Sequence, residues 1–144
     1  MLFGEVRDRK LYLNAAGVAV AETIDTLPDN ISGVQVDESI VMPNHVHLIV
    51  CILHGTQEYH GDHHFCVSGS EKPVVSLSEI VRRFKSVSAR TYSKGVKHHN
   101  WTRFDRRLWQ RNYYEHIIRN ERDLNAIRDY IIYNPVNWRD DPCR

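Results

Sequence analysis

Two histidines one residue apart, His45 and His47, stand inside an apolar run, Val41-Met42-Pro43-Asn44-His45-Val46-His47-Leu48-Ile49-Val50. Successive side chains of a β-strand point to opposite faces, so the two imidazoles project from one face and Val46 from the other. A core strand ordinarily carries valine or leucine at such positions, because a buried imidazole brings ring nitrogens that need partners. Two imidazoles on one face can instead share a divalent metal ion. Near the other end, Asp129-Tyr130-Ile131-Ile132-Tyr133-Asn134-Pro135 sets Tyr130 and Asn134 four residues apart, on one face of any helix that persists that far. The Tyr130 hydroxyl could attack a phosphodiester, and the Asn134 amide oxygen could join His45 and His47 around the cation. A tyrosine has a reference pKa of roughly 10, so as a nucleophile it depends on an activating neighbour. The metal's main task would be to polarise the scissile phosphate and stabilise charge developing on it. Two imidazoles, an amide oxygen and waters suit Mg²⁺ or Mn²⁺ in an octahedral site, whereas a closed structural zinc site takes four protein ligands.

The residues alone leave other readings open. A His-x-His pair on a strand is more often structural, and a helical tyrosine is usually core. Tyr133 or Tyr114 would serve equally well on spacing, and asparagine before proline is commonly a helix stop.

The elements that must carry these groups can be read in outline. Asn14 caps a predicted helix through Leu27, with Val18, Val20, Ala21, Ile24 and Leu27 as its apolar stripe and Pro28 as its stop. Residues 34–41 alternate partly and read as a strand; Pro43-Asn44 turns the chain into a second strand over 45–53, giving an antiparallel hairpin. Residues 54–76 are a variable loop without periodicity. It contains His60-Gly61-Asp62-His63-His64-Phe65-Cys66, set aside as a zinc site because no second ligand pair stands at a recognised spacing. A helix from Ser78 to about Tyr92 buries Leu77, Ile80, Val81, Phe84 and Val87. A basic connection over 94–107 leads to a strand over 109–119, read from its aromatic and β-branched content. Asn120 then caps a last helix running to about Tyr133, since Pro135 disfavours helical geometry at Asn134. Helix, strand, strand, helix, strand, helix is an α+β order, and the 144 residues make one domain, 1–144.

Composition narrows the partners. No apolar stretch approaches the roughly 20 residues that span a bilayer, and no signal peptide is visible, so a soluble cytoplasmic protein is expected. Cys51, Cys66 and Cys143 form no CxxC pair and read as reduced thiols. The net charge of +1 conceals a net −7 over residues 1–81 and a net +8 over 82–144. The basic half is interleaved with Trp101, Phe104, Trp109, Tyr113 and Tyr114, which offers cations for phosphates and rings for unstacked bases. Arg82, Arg83, Lys85 and Arg90, followed by Arg106, Arg107 and Arg111, are the candidate DNA-binding residues. The same charges can equally solvate exposed helix faces.

Three of these stretches, in this order, resemble the motifs of HUH single-tyrosine transposases of the insertion sequence 200-like type. Residues 41–50 are similar to their histidine–hydrophobic–histidine motif, and Leu108-Trp109-Gln110-Arg111-Asn112-Tyr113-Tyr114-Glu115-His116-Ile117-Ile118-Arg119-Asn120 to the signature around their final strand. Residues 129–136 resemble the segment carrying their nucleophile, most nearly that of the REP-associated tyrosine transposases. The resemblance implies a ferredoxin-like antiparallel sheet with helices packed on it. It implies Tyr130 as nucleophile, His45, His47 and Asn134 as ligands of Mg²⁺ or Mn²⁺, and hairpins in single-stranded DNA (palindromic repeats) as partners. It also implies cleavage through a 5′-phosphotyrosine with release of a 3′-OH, by a monomer or a homodimer. Family members carry another strand before the Leu2-Phe3-Gly4 region, so an incomplete sheet is expected here, and with it a rival reading: a truncated or domesticated DNA-hairpin-binding protein that does not cut. A small structural or protein-interaction domain would account for neither the paired histidines nor the basic half.

Overall fold

The computed structural model describes residues 1–53 and 75–138. The variable loop predicted over 54–76 falls outside the described residues except at its last two positions; residues 60–66 and Cys143 also lie outside them.

The chain begins with a hairpin that patterning did not reveal, Gly4–Arg7 (β1) paired antiparallel with Lys10–Leu13 (β2). Its turn residues, Asp8 and Arg9, both hold positive φ, 50° and 61°. Such turns ordinarily announce themselves with glycine or asparagine, which are missing here. Asn14 follows and caps Ala15–Asp25 (α1), its Oδ1 accepting from the Gly17 N–H at 2.9 Å. Gly17 is required by close approach: a Cβ there would stand 2.0 Å from the Phe3 carbonyl oxygen. Pro28 does not simply stop this helix. It opens a further short one, Leu27–Asn30 (α2), where a missing N–H costs nothing.

Val34–Val41 (β3) and Val46–Ile52 (β4) form the expected antiparallel hairpin, Val34 opposite Ile52 and Val41 opposite Val46. Val46, Leu48, Val50 and Ile52 pack against the core, so alternation puts His47, Ile49 and Cys51 on the other face. Regular pairing breaks between Val36 and Ser39, where Asp37 and Glu38 together stand opposite Ile49, a β-bulge. The connecting loop is held rather than loose. Met42 and Pro43 are buried, the Met42 N–H donates to the His45 carbonyl at 2.8 Å, and the N–H groups of Leu2 and Phe3 both donate to the Pro43 carbonyl at 3.1 Å.

Leu77–His98 (α3) starts on a serine N-cap: the Ser76 hydroxyl accepts from the Glu79 N–H at 3.2 Å. Ile80, Phe84, Ser88 and Tyr92 form its buried stripe, while Val87, expected inside, is exposed. The helix outruns its predicted end near Tyr92. Gly95 lets the Trp101 ring lie directly on the helix, where a Cβ would come within 2.1 Å of it.

The strand predicted over 109–119 does not form; that segment has no regular structure. Strand-forming residues need a partner edge, and none is paired with these. Instead the Lys85 ammonium gathers the carbonyls of Gln110, Arg111 and Asn112 at 2.9, 3.3 and 3.2 Å. Trp109 stacks on Phe3 with centroids 5.2 Å apart and donates its indole N–H to the Ser88 hydroxyl at 2.9 Å. Of the rings read as base-stacking candidates, Trp101, Phe104 and Trp109 therefore pack on the core, and Tyr113 and Tyr114 stay exposed.

Glu121–Tyr133 (α4) is capped by Asn120, whose Oδ1 accepts from the Asp123 N–H at 2.8 Å. It lies against β3 and β4. Because its ring and ion-pair contacts fall on His47 and Asp37, it covers the hairpin face turned away from the core. The architecture is α+β. Among the described residues the strands form two separate two-stranded sheets, β1-β2 and β3-β4, where one larger sheet was expected. No helix among the described residues is long and apolar enough to cross a membrane. Cys51 is disulfide-bonded, against the expectation of a reduced thiol.

Candidate active site

His45 ends the loop that Pro43 anchors, and His47 is the second residue of β4, opposite Ile40. Their rings meet edge to face, with the two Nε2 atoms 3.0 Å apart. The Asn44 side-chain oxygen lies 2.8 Å from His45 Nδ1. An amide oxygen only accepts, so Nδ1 carries the proton and His45 turns a lone pair at Nε2 toward His47. In the absence of a cation the 3.0 Å contact is an N–H···N hydrogen bond from His47. The same spacing suits two neighbouring positions of an octahedral ion, since donors about 2.1 Å from its centre and at right angles lie about 3.0 Å apart.

α4 brings the opposing wall. The Tyr130 ring meets His47 edge to face with centroids 5.2 Å apart, and Trp138 stacks near-parallel to His45 at 5.9 Å. Asn134 lies between those two residues at helical spacing. Pro135 was expected to end helical geometry before Asn134, yet Asn134 keeps φ −55° and ψ −42°, and the Asn137 N–H still reaches the Tyr133 carbonyl at 3.2 Å. Proline disfavours the α region for its predecessor without forbidding it.

Asn134 is 2% exposed, and its side-chain oxygen has no hydrogen-bond partner among the described residues. Leaving such an acceptor unsatisfied costs about 1–3 kcal/mol, so it calls for an explanation. Two imidazole nitrogens and an amide oxygen are the donor set that Mg²⁺ or Mn²⁺ accepts together with waters, and the orphaned oxygen fits that role. Among the described residues no group of three or more His, Cys, Asp or Glu offers an alternative metal centre.

Of the three tyrosines left open by spacing, Tyr130 is the one set against His47, and it is 46% exposed. Tyr114 sits on the irregular 109–119 segment at 92% exposure. The basic candidates are not gathered in the same way. Arg82 and Arg83 share Glu79, with contacts of 2.7 Å to each, and those hydrogen bonds, Arg82's first, hold the Glu79 carboxyl down at about 2. Lys85 is turned to the backbone carbonyls described above, and burial lowers its pKa. Arg90, Arg106, Arg107 and Arg111 are exposed.

Sequence reasoning missed Asn44, Trp138, Asp37 and Arg128. Trp138 carried a signal, since it stands eight residues after Tyr130 and so continues the Tyr130–Asn134 stripe. Arg128 holds Asp37 across 91 positions, donating from Nε to Oδ1 at 2.7 Å and from Nη2 to Oδ2. Nothing local announces that pairing.

The family described as "Transposase IS200 like" matches residues 55–134, more than half of the chain, a span that contains Tyr130 and Asn134 but not the histidine pair. A Haemophilus influenzae (strain Rd) "Uncharacterized protein" is 34% identical over an alignment of 151 residues, covering 97% of this chain and 76% of the relative. A second protein of that organism, "Putative REP-associated tyrosine transposase", is 26% identical over 128 residues, 87% of this chain and 60% of its own length. No solved structure matches. The chain belongs to the IS200-like transposase family.

Proposed function

We propose that this protein is a metal-dependent strand transferase acting on hairpins in single-stranded DNA, with Tyr130 as its nucleophile. The observation that carries this reading is the buried, unpartnered Asn134 oxygen, flanked on one stripe by the residues that touch His47 and His45.

His45, His47 and Asn134 would hold Mg²⁺ or Mn²⁺. When bound, the ion supplies positive charge that polarises the scissile phosphate. The chain's own residues do the rest. Asn44 fixes the His45 tautomer, and the anchored 42–45 loop keeps both rings in place before substrate arrives. Tyr130 attacks phosphorus: an Oη–P bond forms, the P–O3′ bond breaks, the phenolic proton passes to solvent, and the departing 3′ oxygen takes a proton from solvent to become the 3′-OH. The 5′-phosphotyrosine conserves the bond, so a 3′-OH can reverse the step and rejoin strands. Arg90, Arg106, Arg107 and Arg111 are exposed and would contact backbone phosphates; Arg82 and Arg83 would do so while sharing Glu79.

Label polarity tests the reading. Hairpin oligonucleotides labelled at either end are incubated with protein and Mn²⁺. Label retained on protein only from the 3′ side of the cut, with a free 3′-OH on the other product, is expected. Label retained from the 5′ side, or cleavage without protein-bound label, contradicts a 5′-phosphotyrosine.

A further inference from the structure

Within α4, Ile131 is the one buried residue, with Asp123, Leu124, Ile127 and Arg128 half-buried, and Asn134 and Trp138 are buried just beyond its end. Rotation about the helix axis matters here. A group at the outer radius of a helix, roughly 5–6 Å from its axis, moves about 1 Å for each ten degrees. Tyr130 stands two residues after Arg128 on that helix.

The Arg128–Asp37 contact is a two-point one, with guanidinium Nε and Nη2 each donating to a different carboxylate oxygen. Planar pairing of this kind specifies orientation as well as distance. Asn125 Oδ1 accepts from Arg128 Nη1 at 3.1 Å, and Glu38 and Glu121 add attraction for the guanidinium. The bulge is what makes Asp37 available. Counting back from Ile40, which pairs with outward-facing His47, regular alternation would turn Asp37 toward the core and Val36 out to α4. The extra residue resets the alternation, so Val36 packs on the core and Asp37 faces Arg128.

We infer that Arg128 and Asp37 are positioning residues, whose ion pair across the β3 bulge sets the rotation of α4 and so the placement of Tyr130 against His47. This rests on the reading of Tyr130 as nucleophile. Displacement of a reacting group by about 1 Å can cost about 100-fold in rate.

Arg128→Gln, Asp37→Asn, the double variant and Arg128→Lys are compared with the parent in the full chain. Three quantities are read: covalent-adduct rate at saturating hairpin DNA, hairpin affinity, and hydrogen exchange of α4 amides. Each neutral single variant should slow adduct formation about 10- to 100-fold with affinity within about twofold, and the double variant should be no slower than either single one. Arg128→Lys keeps charge without the fork and should fall between. Exchange in α4 should quicken while that of β3 and β4 does not. Additive losses in the double variant, or faster exchange with an unchanged adduct rate, overturn the positioning role. If the parent itself forms no adduct, the functional reading fails, and unchanged α4 exchange would then overturn the clamp as well.

Discussion

The two faces of β4 make opposite use of one strand. Toward the core it presents Val46, Leu48, Val50 and Ile52, which pack against α1 and α3 residues such as Ile24, Val20, Ile80 and Phe84. Toward α4 it presents His47, continuing the face begun by His45, where the neighbours are Tyr130 and Trp138, residues that flank the buried Asn134 oxygen on one helical stripe. The inner face follows the general rule that apolar area is buried and every polar group satisfied. The outer face departs from it at one atom. Departures of that kind concentrate at functional sites, where stability is given up for chemistry.

Substitutions on the two faces should therefore separate stability from metal binding. Ile24→Ala, at a fully buried core position, should lower unfolding free energy by about 2–5 kcal/mol in urea titration and leave Mn²⁺ affinity of the folded protein unchanged. His47→Ala should do the reverse: Mn²⁺ affinity by calorimetry falls at least about tenfold, about 1.4 kcal/mol, with a smaller change in Tm. Comparable losses of stability from both would erase the distinction between the faces. Asn134→Leu sharpens it further. Replacing an unsatisfied buried amide with an apolar group of similar size should raise stability by about 1 kcal/mol or leave it unchanged, while metal-dependent activity falls. A destabilised Asn134→Leu protein would mean that the oxygen is satisfied in solution.

The smallest effect lies away from both faces. The Arg82 and Arg83 hydrogen bonds depress the Glu79 carboxyl from 4.5 to about 2. A depressed carboxyl contributes stability that is complete above its ordinary pKa and is lost as pH falls from there through the folded value. Glu79 is only half-buried and its two arginine partners are exposed, so the contribution is small and salt-sensitive. Glu79→Gln should lower stability slightly above about pH 4.5, flatten the acid limb between about pH 4.5 and 2, and leave stability unaltered below about pH 2. An unchanged acid limb would show that the arginines do not hold this carboxylate in solution.

What the sequence disclosed follows the range of the forces involved. Strand alternation placed β3 at residues 34–41, and Asn120 marked the start of α4, because period and caps are local. The His45-Val46-His47 spacing showed the shared face for the same reason. Strand propensity misled over 109–119, where the residues are right but no edge is paired and Lys85 takes up the carbonyls instead. The β1–β2 turn lacked a glycine or asparagine to mark it. Pro28 read as a stop, yet it is accommodated in the first turn of a new helix, and α3 runs past its expected end near Tyr92 through Gly95, where a tryptophan ring lies on it. The Asp37–Arg128 contact depends on a bulge and on 91 residues of intervening chain, and no pattern within a window can express it.

The central claim is that β4 and α4 together make one metal-dependent tyrosine site. It is tested most directly by covalent-adduct formation with an end-labelled hairpin oligonucleotide on a denaturing gel, across a Mn²⁺ titration and with EDTA. The parent should give a shifted band that rises with Mn²⁺, vanishes in EDTA, is absent from Tyr130→Phe and is displaced to higher Mn²⁺ in His45→Ala. A band that survives Tyr130→Phe, or that ignores the metal, would contradict it.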